Sequence, residues 1–256
     1  MADVEVEHSG GVLTVTLNRP EKKNAVTTKV WEDLRDLFSR TRASSDVRVV
    51  VVTGAGGAFC SGADLTDLEG MGAHPLPYMR IVSDTALSLH RLPQPTIAKV
   101  EGIAAGAGCN LALSCDLIVA SDSARFTEIF SKRGLAPDFG GSWLLPRLIG
   151  LHRAKELVFF GDILSAADAL DIGLINKVVP ADELDGVVSE WAARLAAGPP
   201  LALSMAKSLL NNSFATSLEQ ALEIEAGLQS VNLRSEDGAE AMAAFVAKRE
   251  PQFKGR

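Results

Sequence analysis

The chain has 256 residues, with 25 Lys+Arg against 32 Asp+Glu and a formal net charge of −7. It is 47% hydrophobic but only 5% aromatic, so its apolar content is aliphatic and small, with 22 Gly beside it. That length buries a full-sized core, which excludes wholesale disorder, and an anionic chain with no basic run longer than Lys22-Lys23 or Lys132-Arg133 makes no nucleic-acid-binding surface.

In chain order, Val4 to His8 and Gly11 to Asn18 alternate around Ser9-Gly10-Gly11 and predict a hairpin. Thr27 to Arg42 has helical spacing through Val30, Trp31, Leu34, Leu37 and Phe38. Val47 to Thr53 is a β-branched run of buried-strand type, followed by a Gly-rich loop over Gly54 to Ala63 and a polar segment to about Pro77. Helix then runs to Arg91, Pro93-Gln94-Pro95 stops it, and Thr96 to Val100 reads as a strand. A second Gly/Ala-rich turn follows over Gly102 to Gly108, then a short helix, the strand Asp116 to Ala120, and an extended piece at Arg125-Phe126. Beyond Pro137 the pattern is almost wholly helical, with Val178-Val179-Pro180 as an extended link and Ser165 and Ser217 as N-caps. We expect one α/β fold, with a strand-rich core over 1–190 and a helical C-terminal region over 191–256.

The opening Met1-Ala2-Asp3-Val4-Glu5 is acidic and does not read as a secretory signal. Ile103 to Ala120 is interrupted by Asn110, Ser114 and Asp116, too polar for a span of about 20 apolar residues. Cys60, Cys109 and Cys115 form no CxxC pair, which suits reduced thiols in a cytoplasmic protein. The histidines have no HExxH or paired spacing, so no metal is expected. The loop after Val47–Thr53 lacks the third glycine of a dinucleotide fingerprint, and neither GxxxxGK[ST] nor GxSxG occurs.

Two Gly/Ala-rich turns carry the chemistry instead, Ala58 to Leu65 and Gly102 to Ala112, each after a strand. Such turns bring backbone N–H groups close to a ligand, and a helix start near Ala107 to Cys109 favours a developing anion. Two convergent donors would make an oxyanion hole; the alternative is that small residues there serve tight packing.

These segments resemble the enoyl-CoA hydratase/isomerase (crotonase) superfamily. The resemblance rests on Asn18-Arg19-Pro20 with Asn24-Ala25, Phe59 to Leu65, Gly102 to Ala112 with Cys115-Asp116, and Gly134-Leu135-Ala136-Pro137-Asp138 with Gly140-Gly141. It extends through Ala166-Ala167-Asp168-Ala169 with Gly173-Leu174 and Ala244 to Arg249, so it covers essentially the whole chain. It implies a crotonase-like spiral of ββα units, a C-terminal helical region that builds homotrimers or hexamers, and an acyl-CoA thioester as substrate, with no further cofactor. It further implies Ala63 and Ala107 as the two oxyanion donors, and Ala25, Ala63, Asp64 and Leu65 along the adenine and pantetheine groove. Phe245 and Lys248 would approach the CoA of a neighbouring subunit. Because the chain is anionic and CoA is too, local cations such as Lys248, Lys22 and Lys23 should matter.

The acid/base positions depart from the hydratase pattern. Where hydratases carry two Glu residues this chain has Asn110 and Phe130, and neither moves a proton at neutral pH. Asp138 remains. Its Gly134-to-Gly141 context resembles the phenylacetate-pathway isomerase subgroup, in which an Asp there is the acid/base. A single carboxylate suits a 1,3-proton shift, hence an isomerase of enoyl-CoA or ring-epoxide CoA esters. Phe139 beside it would desolvate it; the competing reading makes Asp138 the N-cap of the next helix. Glu128 is a weaker second carboxylate, read as solvated or salt-bridged, and Asp116 is read as structural. The alternatives are an enoyl-CoA hydratase using Asp138 with Glu128, and a catalytically silent acyl-CoA binder. The acyl pocket is expected from Asp67 to Ile81 and the C-terminal helices.

Overall fold

Alternation within Val49 to Val52 organises the molecule, because successive side chains of a strand point to opposite faces of its sheet. Val50 and Val52 enter the larger apolar core, whereas Val49 and Val51 enter a second, smaller one. The computed structural model describes residues 2–68 and 74–256. Its main sheet has six strands: β1 (Val4–Ser9), β2 (Val12–Leu17), β3 (Val49–Gly54), β4 (Thr96–Val100), β6 (Leu117–Ser121) and β9 (Lys177–Val179), adjacent in that order. Only the β1–β2 hairpin is antiparallel; every later pairing is parallel. The same alternation repeats along the sheet, with Ala98, Val100, Ile118 and Ala120 on the first face and Ile97 and Val119 on the second. A second sheet joins β5 (Ile103–Ala105), β7 (Arg125–Thr127) and β8 (Leu164–Ser165).

The larger core is closed by α1 (Thr28–Thr41), α3 (Leu76–His90), α4 (Ala107–Leu113), α5 (Gly141–Ile149), α6 (Leu151–Phe160) and α7 (Ala166–Asp171); the one-turn α2 (Leu65–Leu68) follows the first Gly-rich loop. Thr27 caps α1 by accepting the Val30 N–H, and Ser165 and Ser217 are N-caps as the sequence implies. Ile103 to Ala105, inside the stretch expected to be a turn, is instead extended, because it pairs with β7. The smaller core is closed by α8 (Leu184–Ala196), whose Leu184, Val188 and Ala192 cover Val49, Val51, Ile97 and Val119. The 190/191 boundary drawn from the sequence therefore passes through a helix that belongs to the sheet.

Beyond α8 the helices bury little. Neither α9 (Pro200–Asn212) nor α10 (Leu218–Asn232) has a fully buried residue, and α11 (Glu236–Ala247) has only Asp237 and Ala244. Leu210, Phe214, Leu218, Phe245 and Val246 are all exposed. No helix of the described residues is long and apolar enough to cross a membrane.

Candidate active site

The two Gly/Ala-rich turns meet because their strands pair beyond the main sheet. Cys60 bridges Ala104, with Cys60 N–H donating to Ile103 O at 3.0 Å and Ala105 N–H donating to Cys60 O at 2.9 Å. Closer in, a Cβ on Gly62 would lie 2.9 Å from Ala105 O and 3.9 Å from Ala107 N, and Gly62 has φ +97, so only glycine fits there. A Cβ on Gly108 would lie 2.4 Å from Cys60 O. Tight packing and donor placement are thus served by the same small residues.

Both N–H groups expected to act as donors are left over by this arrangement. Val26 bridges Ala63 in parallel, with Val26 N–H donating to Gly62 O at 2.8 Å and Asp64 N–H to Val26 O at 2.9 Å. The neighbours of Ala63 make both bonds, so its own N–H points away from Val26. Ala107 opens α4, where a first-turn N–H has no intrahelical acceptor. Among the described residues neither N–H donates to another protein group. The ring of Phe130, itself buried, approaches to 3.6 Å of the Cβ position of Gly106, immediately before Ala107.

Asp138 precedes α5. Its carbonyl accepts from Gly141 N at 2.9 Å and from Asn110 Nδ2 at 3.0 Å, while its buried Oδ1 has no hydrogen-bond partner. Burial lifts its carboxyl to about 6. The capping reading is corrected: Gly140 is the N-cap residue of α5, and no side chain caps that end. Phe139, at φ 47, is a bulky residue in the left-handed region, and it stays there because its ring is 2% exposed and packs 5.0 Å from the Trp31 ring. Tyr78 from α3 is also close to Asp138: burial first, then the Asp138 and Asp67 charges, push its phenol up to about 12. The sequence carried a signal for Tyr78 in the helical spacing of the buried residues Tyr78, Val82, Thr85 and Leu89.

Glu128 is neither solvated nor salt-bridged, which corrects the sequence reading. It is 1% exposed, at the end of β7, where the chain turns into a short 3₁₀ helix over Ile129–Arg133. Its Oε2 accepts from Asn110 Nδ2 at 3.4 Å, and its Oε1 has no partner. Burial, opposed by hydrogen bonds from Cys109 and Asn110, lifts its carboxyl to about 7. Asp116, by contrast, accepts from Thr96 N and Oγ1 and pairs with Lys207 at 2.6 Å, consistent with a structural role.

Of the residues expected along a ligand groove, Ala25, Ala63, Asp64 and Leu65 lie together at the first turn. The Asp64 carboxylate is fully engaged, by Arg19 Nη2 at 2.9 Å and by Thr66 Oγ1 at 2.7 Å, and Arg19 Nη1 also donates to Ala25 O at 2.6 Å. Asp64 thus holds the Ala63 turn in place. Leu65 is 58% exposed. Phe245, 83% exposed, and Lys248 lie at the end of α11, and among the described residues no hydrogen bond or ion pair joins them to the two turns. Of the Asp67-to-Ile81 segment expected to shape an acyl pocket, residues 69–73 lie outside the described residues. A cleft of about 400 Å³ opens between α3 and α5, lined by Leu87, His90, Phe139, Gly140 and Trp143 among others. Among the described residues no group of three or more His, Cys, Asp or Glu could hold a metal ion.

The strand order, the two joined turns and the trailing helices are those of the crotonase spiral. The chain matches the family described as Enoyl-CoA hydratase/isomerase over residues 7–256. It is 39% identical to a 1,2-epoxyphenylacetyl-CoA isomerase of Escherichia coli over 251 residues, 96% of each chain. It is 35% identical to a short-chain-enoyl-CoA hydratase of Clostridium acetobutylicum over 257 residues, 99% of this chain and 98% of that one. The crystal structure of an enoyl-CoA hydratase from Bacillus anthracis superposes with a TM-score of 0.96 at 34% identity, covering 100% of both chains. The chain belongs to the enoyl-CoA hydratase/isomerase family, and it is an enzyme of that family.

Proposed function

We propose that the enzyme is an acyl-CoA isomerase, moving a double bond by a 1,3-proton shift, with Asp138 as its single acid/base. The carrying observation is the Asp138 carboxyl: desolvated, without a cation opposite it, and lifted to about 6. At neutral pH such a group is mostly ionised, yet it is a stronger base than an ordinary aspartate. On a 3-enoyl-CoA it would take the proton from Cα, sending the electron pair into the thioester carbonyl. Ala63 and Ala107 N–H would hold the resulting dienolate oxygen. Asp138 would then return the proton to Cγ, leaving the double bond between Cα and Cβ. Nothing is added and nothing leaves, so the substrate is the CoA thioester alone, with no further cofactor.

The groove past Ala25 and Leu65 would take the CoA moiety, with Lys22 and Lys23 near its phosphates, and the cleft between α3 and α5 would take the acyl tail. In a homotrimer or hexamer built on the exposed apolar face of α9 to α11, Phe245 and Lys248 would reach a neighbour's CoA. The similarity to an epoxyphenylacetyl-CoA isomerase supports a ring-epoxide CoA ester as the alternative isomerase substrate. Hydration is the second reading, favoured by the buried Glu128 carboxyl and by the similarity to a short-chain-enoyl-CoA hydratase. Water addition needs two proton-handling groups at the substrate, and Asn110 lies between Glu128 and the Asp138 backbone. Incubation with a 3-enoyl-CoA and separately with a 2-enoyl-CoA decides between them. The 3-enoyl ester should be converted to the 2-enoyl ester without water uptake; a 3-hydroxyacyl product from the 2-enoyl ester, formed faster, would establish hydration instead.

A further inference from the structure

Glu128 has no place in the proton shift, yet it is one of the most deeply buried carboxylates of the chain, at 1% exposure. A carboxyl taken from water without a cation opposite it is destabilising, so its retention calls for a reason. The reason lies in its amide partner. Asn110 is wholly buried on α4, and its Nδ2 carries two protons. One is directed at Glu128 Oε2, 3.4 Å away, and the other at Asp138 O, 3.0 Å away. Only the NH₂ end of the amide can satisfy two acceptors, so the two carbonyl-type oxygens together fix its orientation. Space for the amide comes from Gly141, where a Cβ would lie 2.4 Å from Asn110 Nδ2. The far side of Asp138 is held by the Phe139 ring against Trp31.

We propose that Glu128 is a positioning residue: its carboxylate orients the Asn110 amide, and that amide anchors the main chain of Asp138, so that the acid/base stands on a second carboxyl that the substrate does not reach. The inference rests on the reading of Asp138 as acid/base. The titratable groups facing this pair are Cys109 on α4, whose thiol burial raises well above its ordinary value, and Tyr78 on α3, pushed up to about 12; both stay neutral near pH 7. Neither carboxyl has a cation among the causes that shift it, and the Asp138 charge further raises that of Glu128. An ionised Glu128 grips the amide more strongly than a protonated one, because hydrogen bonds to charged acceptors are the stronger kind.

The test uses Glu128→Gln, which keeps shape and removes charge, beside Asn110→Ala and the double variant. Glu128→Gln should lower kcat about tenfold with KM within about twofold, the signature of a displaced acid/base. It should also remove an ionisation near 7 from the pH profile of kcat while leaving the one near 6. Because the two residues act in one chain of contacts, the double variant should be no slower than Asn110→Ala alone. Unchanged kcat with both ionisations retained, or additive losses, would overturn the proposal. If Glu128→Gln does not fold, carboxyl-carbon NMR of Asp138→Asn serves: the Glu128 midpoint should fall once the neighbouring charge is gone. An unmoved midpoint would overturn the link. That titration needs no substrate, so a lack of turnover on enoyl-CoA counts against the isomerase reading alone.

Discussion

Asp64, beside the Ala63 turn, and Asp138, just before α5, have surroundings that give the same side chain opposite properties. Asp64, 6% exposed, accepts from Thr66 and from Arg19, and these partners, Thr66 first, hold its carboxyl below the usual range. Asp138 has a buried oxygen with no partner, and desolvation lifts it to about 6. A carboxylate with both oxygens engaged holds a turn; one with an oxygen kept free and dry can take a proton.

The largest expected effect separates the two directly. Asp138→Asn should lower kcat on a 3-enoyl-CoA by roughly 10²–10⁴-fold, the usual contribution of a general acid/base, while circular dichroism stays near wild type and Tm does not fall. Asp64→Ala should do the reverse. It leaves Arg19, 17% exposed, without its buried partner, and should cost about 3 kcal/mol of stability in denaturant unfolding. If Asp64→Ala is as stable as wild type but inactive, the contrast between the two residues is wrong.

The pH dependences come next in size, and their signs oppose. Because Asp138 must be ionised to accept a proton, kcat should fall about tenfold per pH unit well below about 6, and a second, smaller rise near 7 should accompany the ionisation of Glu128. The Asp64 carboxyl is lowered on folding, so its stabilisation is present above the ordinary aspartate range and lost as the pH falls; Asp64→Ala and wild type should converge in Tm in acid. For Glu128 the folded carboxyl is raised to about 7, so its burial is harmless below the ordinary glutamate range and destabilising as pH rises through 7. Glu128→Gln should therefore be more stable than wild type at pH 8, on the order of 1–3 kcal/mol, and no more stable at pH 4. A gain of equal size at both pH values would mean that charge burial is not its origin.

What the sequence revealed and what it hid follow a physical line. The hairpin, the buried valine strand, the helices and the Ser165 and Ser217 caps are local patterns, and each was legible. The meeting of Ala63 with Ala107 was foreseen only through family resemblance, since a bridge between Cys60 and Ala104 is a long-range contact that no local period encodes. Ile103 to Ala105 was misread because glycine and alanine suit a turn; only β7 supplies the partner that makes it a strand. Glu128 was misjudged because its burial comes from α4, more than a dozen residues upstream, and not from its own neighbours. Asp138 as a cap was a fair local inference, defeated by Gly140 taking the N-cap position.

Hydrogen exchange in deuterated water tests the central claim most directly, since it registers enolate formation whatever the acyl group. With a 3-enoyl-CoA, the wild-type enzyme should place deuterium at Cα and Cγ in the turnovers in which the protonated Asp138 exchanges with solvent before it returns the proton, and Asp138→Asn should place none above the uncatalysed rate. Exchange in Asp138→Asn at the wild-type rate would contradict the account, because some group other than Asp138 would then be moving the proton.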